Sequence, residues 1–125
     1  QIKRGKCQRI LLLALKSILA KNDRLPMLVF DEIDTGISGR IAQKVGKVIK
    51  ELAEYHQVIA ITHLPQVAAF AETHIVVEKK TTKTRTVISA HVLDAENHIK
   101  EVAKLLSGEN ISEATIESAR QLVQF

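Results

Sequence analysis

Two short apolar runs, each followed by residues that carry chemistry, constrain the fold of this chain more than any other feature. The first, at residues 27–30, leads into an Asp-Glu pair, and the second, at residues 58–62, leads into a histidine. Apolar runs of this length are typical of internal strands covered on both faces. Between them, residues 40–55 carry Ile, Val and Leu at amphipathic spacing, which predicts a helix. The order strand, helix, strand predicts a parallel pair joined by a right-handed crossover.

Further elements are predicted on both sides of this unit. Residues 9–21 are apolar on more than one face, which predicts a largely buried helix. The remaining predicted elements are a short helix at 65–71, a hairpin with strands at 74–79 and 84–92, and amphipathic helices at 96–106 and 112–123, the last capped by Ser112. The predicted fold class is therefore α/β, with a mainly parallel sheet, flanking helices and an antiparallel hairpin towards the C-terminus.

Composition narrows the class of protein. The 125 residues are enough for one compact domain, and 46% hydrophobic residues can form a core. The single cysteine, Cys7, excludes an internal disulfide and favours a reducing cytoplasm. The apolar run at 10–15 is too short to cross a bilayer. A net charge of +4 fits a nucleotide or nucleic-acid partner, but many ordinary domains carry as much.

The acidic pair after the first strand is the strongest functional signal. An apolar strand that ends in Asp31 and Glu32 has the Walker B pattern of nucleotide hydrolases. In that reading Asp31 holds Mg²⁺, usually through water, and Glu32 orients and deprotonates the attacking water. Alternation breaks down at a strand end, so Glu32 need not point away from Asp31. The plain alternative is two acids that end a strand at the surface.

Two further segments favour the nucleotide reading. The loop Asp-Thr-Gly-Ile-Ser-Gly at 34–39 follows the acidic pair directly, and His63 follows the second strand. Ligands of α/β sheets gather outside the carboxyl ends of parallel strands. His63 and Asp31 are therefore predicted along one edge, where an imidazole can donate a hydrogen bond to a γ-phosphate. Taken singly, the loop would be an ordinary glycine turn and the histidine a structural residue.

These segments together resemble the RecN family, bacterial relatives of the SMC proteins among the ABC-type ATPases. The resemblance rests on Val-Phe-Asp-Glu-Ile-Asp-Thr-Gly-Ile-Ser-Gly-Arg at 29–40, Ile-Thr-His-Leu-Pro-Gln-Val-Ala-Ala at 61–69 and Leu-Leu-Ser-Gly at 105–108. It implies that Asp31 is the magnesium residue, Glu32 the catalytic base, His63 the switch histidine and Asp34 the D-loop aspartate. It also implies that two heads sandwich ATP during recombinational repair of DNA double-strand breaks.

By the same resemblance, residues 1–125 form the C-terminal lobe of the head, with ATP and Mg²⁺ as cofactors. The implied partners are an N-terminal Walker A lobe of the same protein, a second head in a homodimer, and DNA. No membrane contact is implied. The implied location is the bacterial cytoplasm, associated with the nucleoid. No phosphate-gripping loop is recognised in these residues, so we expect the 125-residue chain alone to bind ATP poorly and not to hydrolyse it.

Two features depart from the pattern or leave it open. The family places Ser-Gly-Gly-Glu-Leu-Ser before the Leu-Ala-Leu-Lys helix, whereas residues 4–9 read Arg-Gly-Lys-Cys-Gln-Arg. The poor signature keeps open a non-catalytic remnant or interaction module of an SMC or ABC-type protein. Another cassette protein, such as an SMC head or a transporter ATPase, is disfavoured by the Thr-His-Leu-Pro-Gln segment.

Basic residues also cluster at the predicted hairpin. They are Lys79, Lys80, Lys83 and Arg85. They could contact DNA, but lysines that protect an edge strand in a solvated turn are the preferred interpretation.

Overall fold

The computed structural model of the chain describes residues 26–32, 36–37 and 39–123, together with Ala14 and Ile18. Its elements are β1 (Met27–Asp31), α1 (Gly39–Ala53), β2 (Gln57–Ile61), α2 (Pro65–Ala68), β3 (Ile75–Thr81), β4 (Thr86–Val92), α3 (Ala95–Ser107) and α4 (Glu113–Leu122). The helix predicted at 9–21 is described only at those two residues. The altered signature at 4–9 lies outside the described residues.

Strands β1 and β2 pair in parallel, as the strand–helix–strand order predicts. Helix α1 packs against one face of this pair, because its apolar residues recur at helical spacing and meet Leu28 and Phe30 of β1. The buried cluster consists of Leu28, Phe30, Ile37, Ala42, Val45, Ile49, Leu52 and Val67. Phe30 is its largest fully buried side chain and therefore its anchor.

The other face of the β1–β2 pair corrects the expectation that both strands are covered on both faces. Met27, Val29, Ile59 and Ile61 on that face are each 44 to 55% exposed. Burial alternates along β1 because α1 covers only the Leu28 and Phe30 side, and no other described element covers the opposite side. The apolar runs thus supply a second hydrophobic face that remains open among the described residues.

Helices α1 and α2 approach each other closely at Gly46. This glycine is buried in the middle of α1, and a Cβ built on it would lie 2.8 Å from the carbonyl oxygen of Gln66 in α2. Helix α2 begins directly after the loop that carries His63. The packing of α2 on α1 therefore helps to hold that loop against the β1–β2 unit.

Strands β3 and β4 form the predicted antiparallel hairpin, with Ile75 opposite Val92 and Thr81 opposite Thr86. Strand β3 begins one residue and ends two residues later than predicted. Strand β4 begins two residues later than predicted and ends at Val92 as predicted, because the turn is closed at 82–85. There the Thr82 hydroxyl accepts from the Arg85 amide at 3.1 Å and donates to the Arg85 carbonyl at 3.0 Å. All of β4 is exposed, so the hairpin stands on the surface of the described chain.

Helices α3 and α4 close the chain as a packed pair. Asp94 caps α3 by accepting a hydrogen bond from the Asn97 amide at 2.8 Å. The predicted cap of the last helix is confirmed, because the Ser112 hydroxyl accepts from the Thr115 amide at 3.2 Å. A second buried cluster joins the pair to α2; it consists of Ala68, Ala69, Val102, Ala103, Ala119 and Val123.

Candidate functional site

The carboxyl ends of β1 and β2 bring the predicted site residues to one edge of the sheet. The parallel register places Asp31 opposite Ile61, the last residue of β2. Backbones of neighbouring strands are about 4.8 Å apart, so the chain leaves both strands side by side. Glu32 is the next residue after β1 and His63 the second after β2. Asp31, Glu32 and His63 are all exposed at this edge, where the sequence predicts them.

Glu32 has a backbone conformation that ends the strand abruptly. Its φ is 52°, in the left-handed region that non-glycine residues seldom adopt. Alternation along β1 would otherwise direct Glu32 to the face of Phe30, which α1 covers. The left-handed turn removes Glu32 from that alternation and leaves it exposed. Backbone strain of this kind, about 1–3 kcal/mol, concentrates at functional sites.

A side-chain hydrogen bond shapes the loop that carries His63. The hydroxyl of Thr62 accepts from the backbone amide of Leu64 at 3.0 Å, which bends the chain around the histidine. Pro65 follows at the first position of α2, where its missing amide and fixed φ suit a helix start. The sequence analysis did not predict this contact of Thr62. The sequence did hold a signal for this turn, because a threonine hydroxyl commonly accepts a hydrogen bond from the backbone amide two residues later.

The exposed side chains at this edge are of types that can contact Mg²⁺ and phosphate groups. Within the described ranges, no group of three His, Cys, Asp or Glu residues could hold a metal ion. Mg²⁺ prefers carboxylate oxygens and commonly takes only one or two from the protein, the rest coming from water and phosphate. The exposed carboxylate of Asp31 fits that limited role. An exposed imidazole at His63 can donate a hydrogen bond to an anion at the same edge.

The loop after β1 is described only in part. The D-loop candidate Asp34 lies outside the described residues, as do Thr35 and Ser38. Gly36 and Gly39 have φ values of 77° and 57°, and Gly39 begins α1. Gly36 thus lies in a turn, as the loop prediction for 34–39 expects, whereas Gly39 already belongs to α1, and the role of Asp34 stays a prediction.

The basic residues of the hairpin form a separate surface. Lys79, Lys80, Lys83 and Arg85 are exposed around the turn. Lys80 forms a solvent-exposed ion pair with Glu78 at 3.8 Å, and such surface pairs contribute little to stability. This arrangement fits a solvated turn as well as a contact with phosphate groups. No described helix is long and apolar enough to cross a membrane.

Known proteins are similar to this chain in sequence, and a solved structure is similar to it in fold. RecN DNA repair proteins match it at 39% identity over 119 residues in Halalkalibacterium halodurans, 35% over 120 residues in Bacillus subtilis and 42% over 111 residues in Vibrio cholerae. These matches cover 95, 96 and 89% of the chain, which spans 20 to 21% of the length of those relatives. No protein-family model matches the chain.

A solved structure described as "Structural biochemistry of ATP-driven dimerization and DNA stimulated activation of SMC ATPases" has the same fold. It superposes with a TM-score of 0.64 over 87% of this chain and 66% of its own, at 22% identity. The α/β fold predicted from the strand–helix–strand order therefore agrees with that of an SMC ATPase.

Proposed function

Because the chain is a RecN-like segment that spans about a fifth of the RecN proteins it matches, we propose that it supplies the Walker B, D-loop and switch-histidine part of an ATPase head. The complete protein would hydrolyse ATP during recombinational repair of DNA double-strand breaks, in the bacterial cytoplasm at the nucleoid. The observation that carries the proposal is the parallel β1–β2 register, which brings an acidic pair and a histidine to one sheet edge.

Asp31 is the residue proposed to hold magnesium. Its carboxylate is exposed at the end of β1, and a hard oxygen ligand at that point fits Mg²⁺ bound through water. When bound, the ion supplies positive charge that neutralises phosphate oxygens. The buried neighbours Leu28 and Phe30 fix the backbone of the strand, and thereby the position of the carboxylate.

Glu32 and His63 are proposed to act on the reacting groups themselves. The carboxylate of Glu32 would orient the attacking water and accept its proton, which is the role of a general base. His63 would donate a hydrogen bond to the terminal phosphate, and Thr62 holds the loop that presents it. Asp34 is proposed as the D-loop residue that reaches the partner's site.

Among the described residues, the apolar face of the β1–β2 pair opposite α1 is open, and this supports a lobe partner. Met27, Val29, Ile59 and Ile61 form an apolar surface of the kind that another part of a protein covers. We propose that the N-terminal Walker A lobe of the same protein, which supplies the phosphate-binding loop, packs against this unit. A second head in a homodimer and DNA complete the proposed partners, since the structural neighbour is described by ATP-driven dimerization and DNA-stimulated activation.

The test is Glu32→Gln in the complete protein. The substitution keeps the size of the side chain and removes the proton acceptor. We expect ATP binding to persist and steady-state hydrolysis to fall by about 10²- to 10⁴-fold, the usual contribution of a general base. ATP binding is measured by equilibrium titration and hydrolysis by phosphate release.

Glu54→Gln provides a matched control. Glu54 follows α1, and α1 ends where β2 begins, so this exposed glutamate lies at the opposite edge of the sheet. Turnover of this variant should equal that of the unmodified protein. Unchanged hydrolysis in Glu32→Gln would reject Glu32 as the general base. An equal loss of hydrolysis in both variants would reject the location of the site at the carboxyl ends of β1 and β2.

A further inference from the structure

Two histidines far apart in the sequence contact each other outside the proposed ATP site. Nδ1 of His74 lies 2.8 Å from Nδ1 of His98, with the rings nearly perpendicular at 79° and their centroids 5.0 Å apart. His74 immediately precedes β3, and His98 lies in the first turns of α3. The contact therefore connects the base of the hairpin to the helical pair α3 and α4.

This contact lies beside an open cavity of about 380 Å³. The charged groups around the cavity are Lys50 from α1, Glu72 from the segment after α2, and Asp94, which caps α3. Helix α4 is followed there by the apolar Val123, and the hairpin contributes Leu93 just after β4. Asp94 is already engaged, since its two carboxylate oxygens accept hydrogen bonds from Asn97.

The His74–His98 contact links the base of the hairpin to α3 through side chains. No described helix packs closely against either strand of the hairpin. At the hairpin base, the Leu93 amide donates to the His74 carbonyl at 2.9 Å, which closes the base but does not reach α3. The imidazole contact adds a side-chain connection from that base to the buried side of α3, where His98 is only 6% exposed.

A hydrogen bond between two Nδ1 atoms requires one of them to carry a proton and the other to accept it. Doubly protonated imidazoles would place two donors and two positive charges face to face, so that state cannot keep the contact. Burial lowers the pKa of both histidines. The charge of His98 lowers the pKa of His74 further, whereas the Ala69 carbonyl partly offsets the effect of burial on the pKa of His98.

His98 has little means of accommodating a charge where it lies. Its Nε2 is buried without a hydrogen-bond partner of standard geometry. The backbone of Ala69 raises the pKa of His98, but by less than burial lowers it. Protonation of His98 would therefore bury a positive charge whose desolvation the Ala69 carbonyl only partly offsets. The geometry favours the neutral pair in the closed arrangement.

We propose that the His74–His98 contact is an acid-sensitive clasp, closed at neutral pH and released in mild acid, that ties the β3–β4 hairpin to α3. In the open state each histidine titrates near its ordinary pKa of 6.5, and in the closed state it takes up a proton only at lower pH. The open state thus binds more protons between these values. The clasp is fully present above about pH 6.5 and is lost as the pH falls below it.

Hydrogen exchange of the complete protein, followed by mass spectrometry at pH 7.5, 6.5 and 5.5 and corrected for intrinsic exchange rates, tests the clasp. Protection of the α3 amides near His98 and of the amides at the hairpin base should fall as the pH drops, by at most about tenfold per pH unit for each proton taken up. Protection that does not change with pH in the unmodified protein would overturn the proposal, whatever the variants do.

Two variants separate the clasp from general acid sensitivity. In His74→Gln the pH dependence at the hairpin base and α3 should be reduced at least by half. In His91→Gln, which removes an exposed histidine from β4 of the same hairpin, it should stay as in the unmodified protein. An equal reduction in both variants would overturn the proposal. So would loss of protection at pH 7.5 on adding EDTA, because a metal ion would then be bridging the two imidazoles.

Discussion

Replacing Gly46 by alanine tests the contact that holds the loop carrying His63. An added Cβ would lie 2.5 Å from Cδ2 of Phe70 and 2.8 Å from the carbonyl oxygen of Gln66. The Phe70 ring can rotate, but the Gln66 carbonyl belongs to the backbone of α2 and can move only if the helix moves. The substitution should therefore push α2 away from α1.

The size of the effect follows from two opposing contributions. Alanine is favoured over glycine within a helix by about 1 kcal/mol. Overpacking of a filled interior costs about 1–3 kcal/mol, and a clash with backbone belongs at the upper end of that range. The expected result is a net destabilisation of about 2 kcal/mol, the reverse of the gain that helix propensity alone predicts.

Hydrogen exchange of α1 and α2 in the complete protein measures this change locally. A loss of about 2 kcal/mol corresponds to roughly thirtyfold faster exchange through opening of the two helices. Lys47→Ala, at the exposed next position of α1, should leave exchange nearly unchanged and serves as the control. Protection in Gly46→Ala equal to or above that of the unmodified protein would refute the close approach of α2 to Gly46.

Two further predictions concern stability. In chemical denaturation, Phe30→Ala should lower the free energy of unfolding of the β1–α1–β2 unit by about 3–5 kcal/mol, because it leaves a cavity in the centre of the core. The control Tyr55→Ala, at an aromatic side chain that is 76% exposed, should have little effect in the same experiment. Asp94→Ala should cost α3 about 1 kcal/mol by removing its cap, as measured by exchange of the Asn97 amide, whereas Asp94→Asn, which still accepts that bond, should retain most of the protection.

Local patterns were sufficient to predict the elements that build the candidate site. The apolar runs, the spacing of Ile and Val between them and the Ser112 cap each depend on residues within a few positions of one another. The predicted helix at 40–55 and strand at 58–62 accordingly agree with α1 and β2 to within two residues. Placing the acidic pair and His63 at one edge needed only the general behaviour of parallel strands.

Only the tertiary structure decided which surfaces are covered and which distant residues meet. The runs in β1 and β2 predicted burial on both faces, yet α1 covers one face and leaves Val29 and Ile59 exposed among the described residues. In the sequence Gly46 is an ordinary helical position, and only the tertiary structure shows that α2 packs too close to it for a side chain. His74 and His98 are 24 residues apart, and no periodicity links them. Side-chain patterns record the preference of each residue for burial, whereas the identity of a packing partner depends on how separate elements are oriented in space.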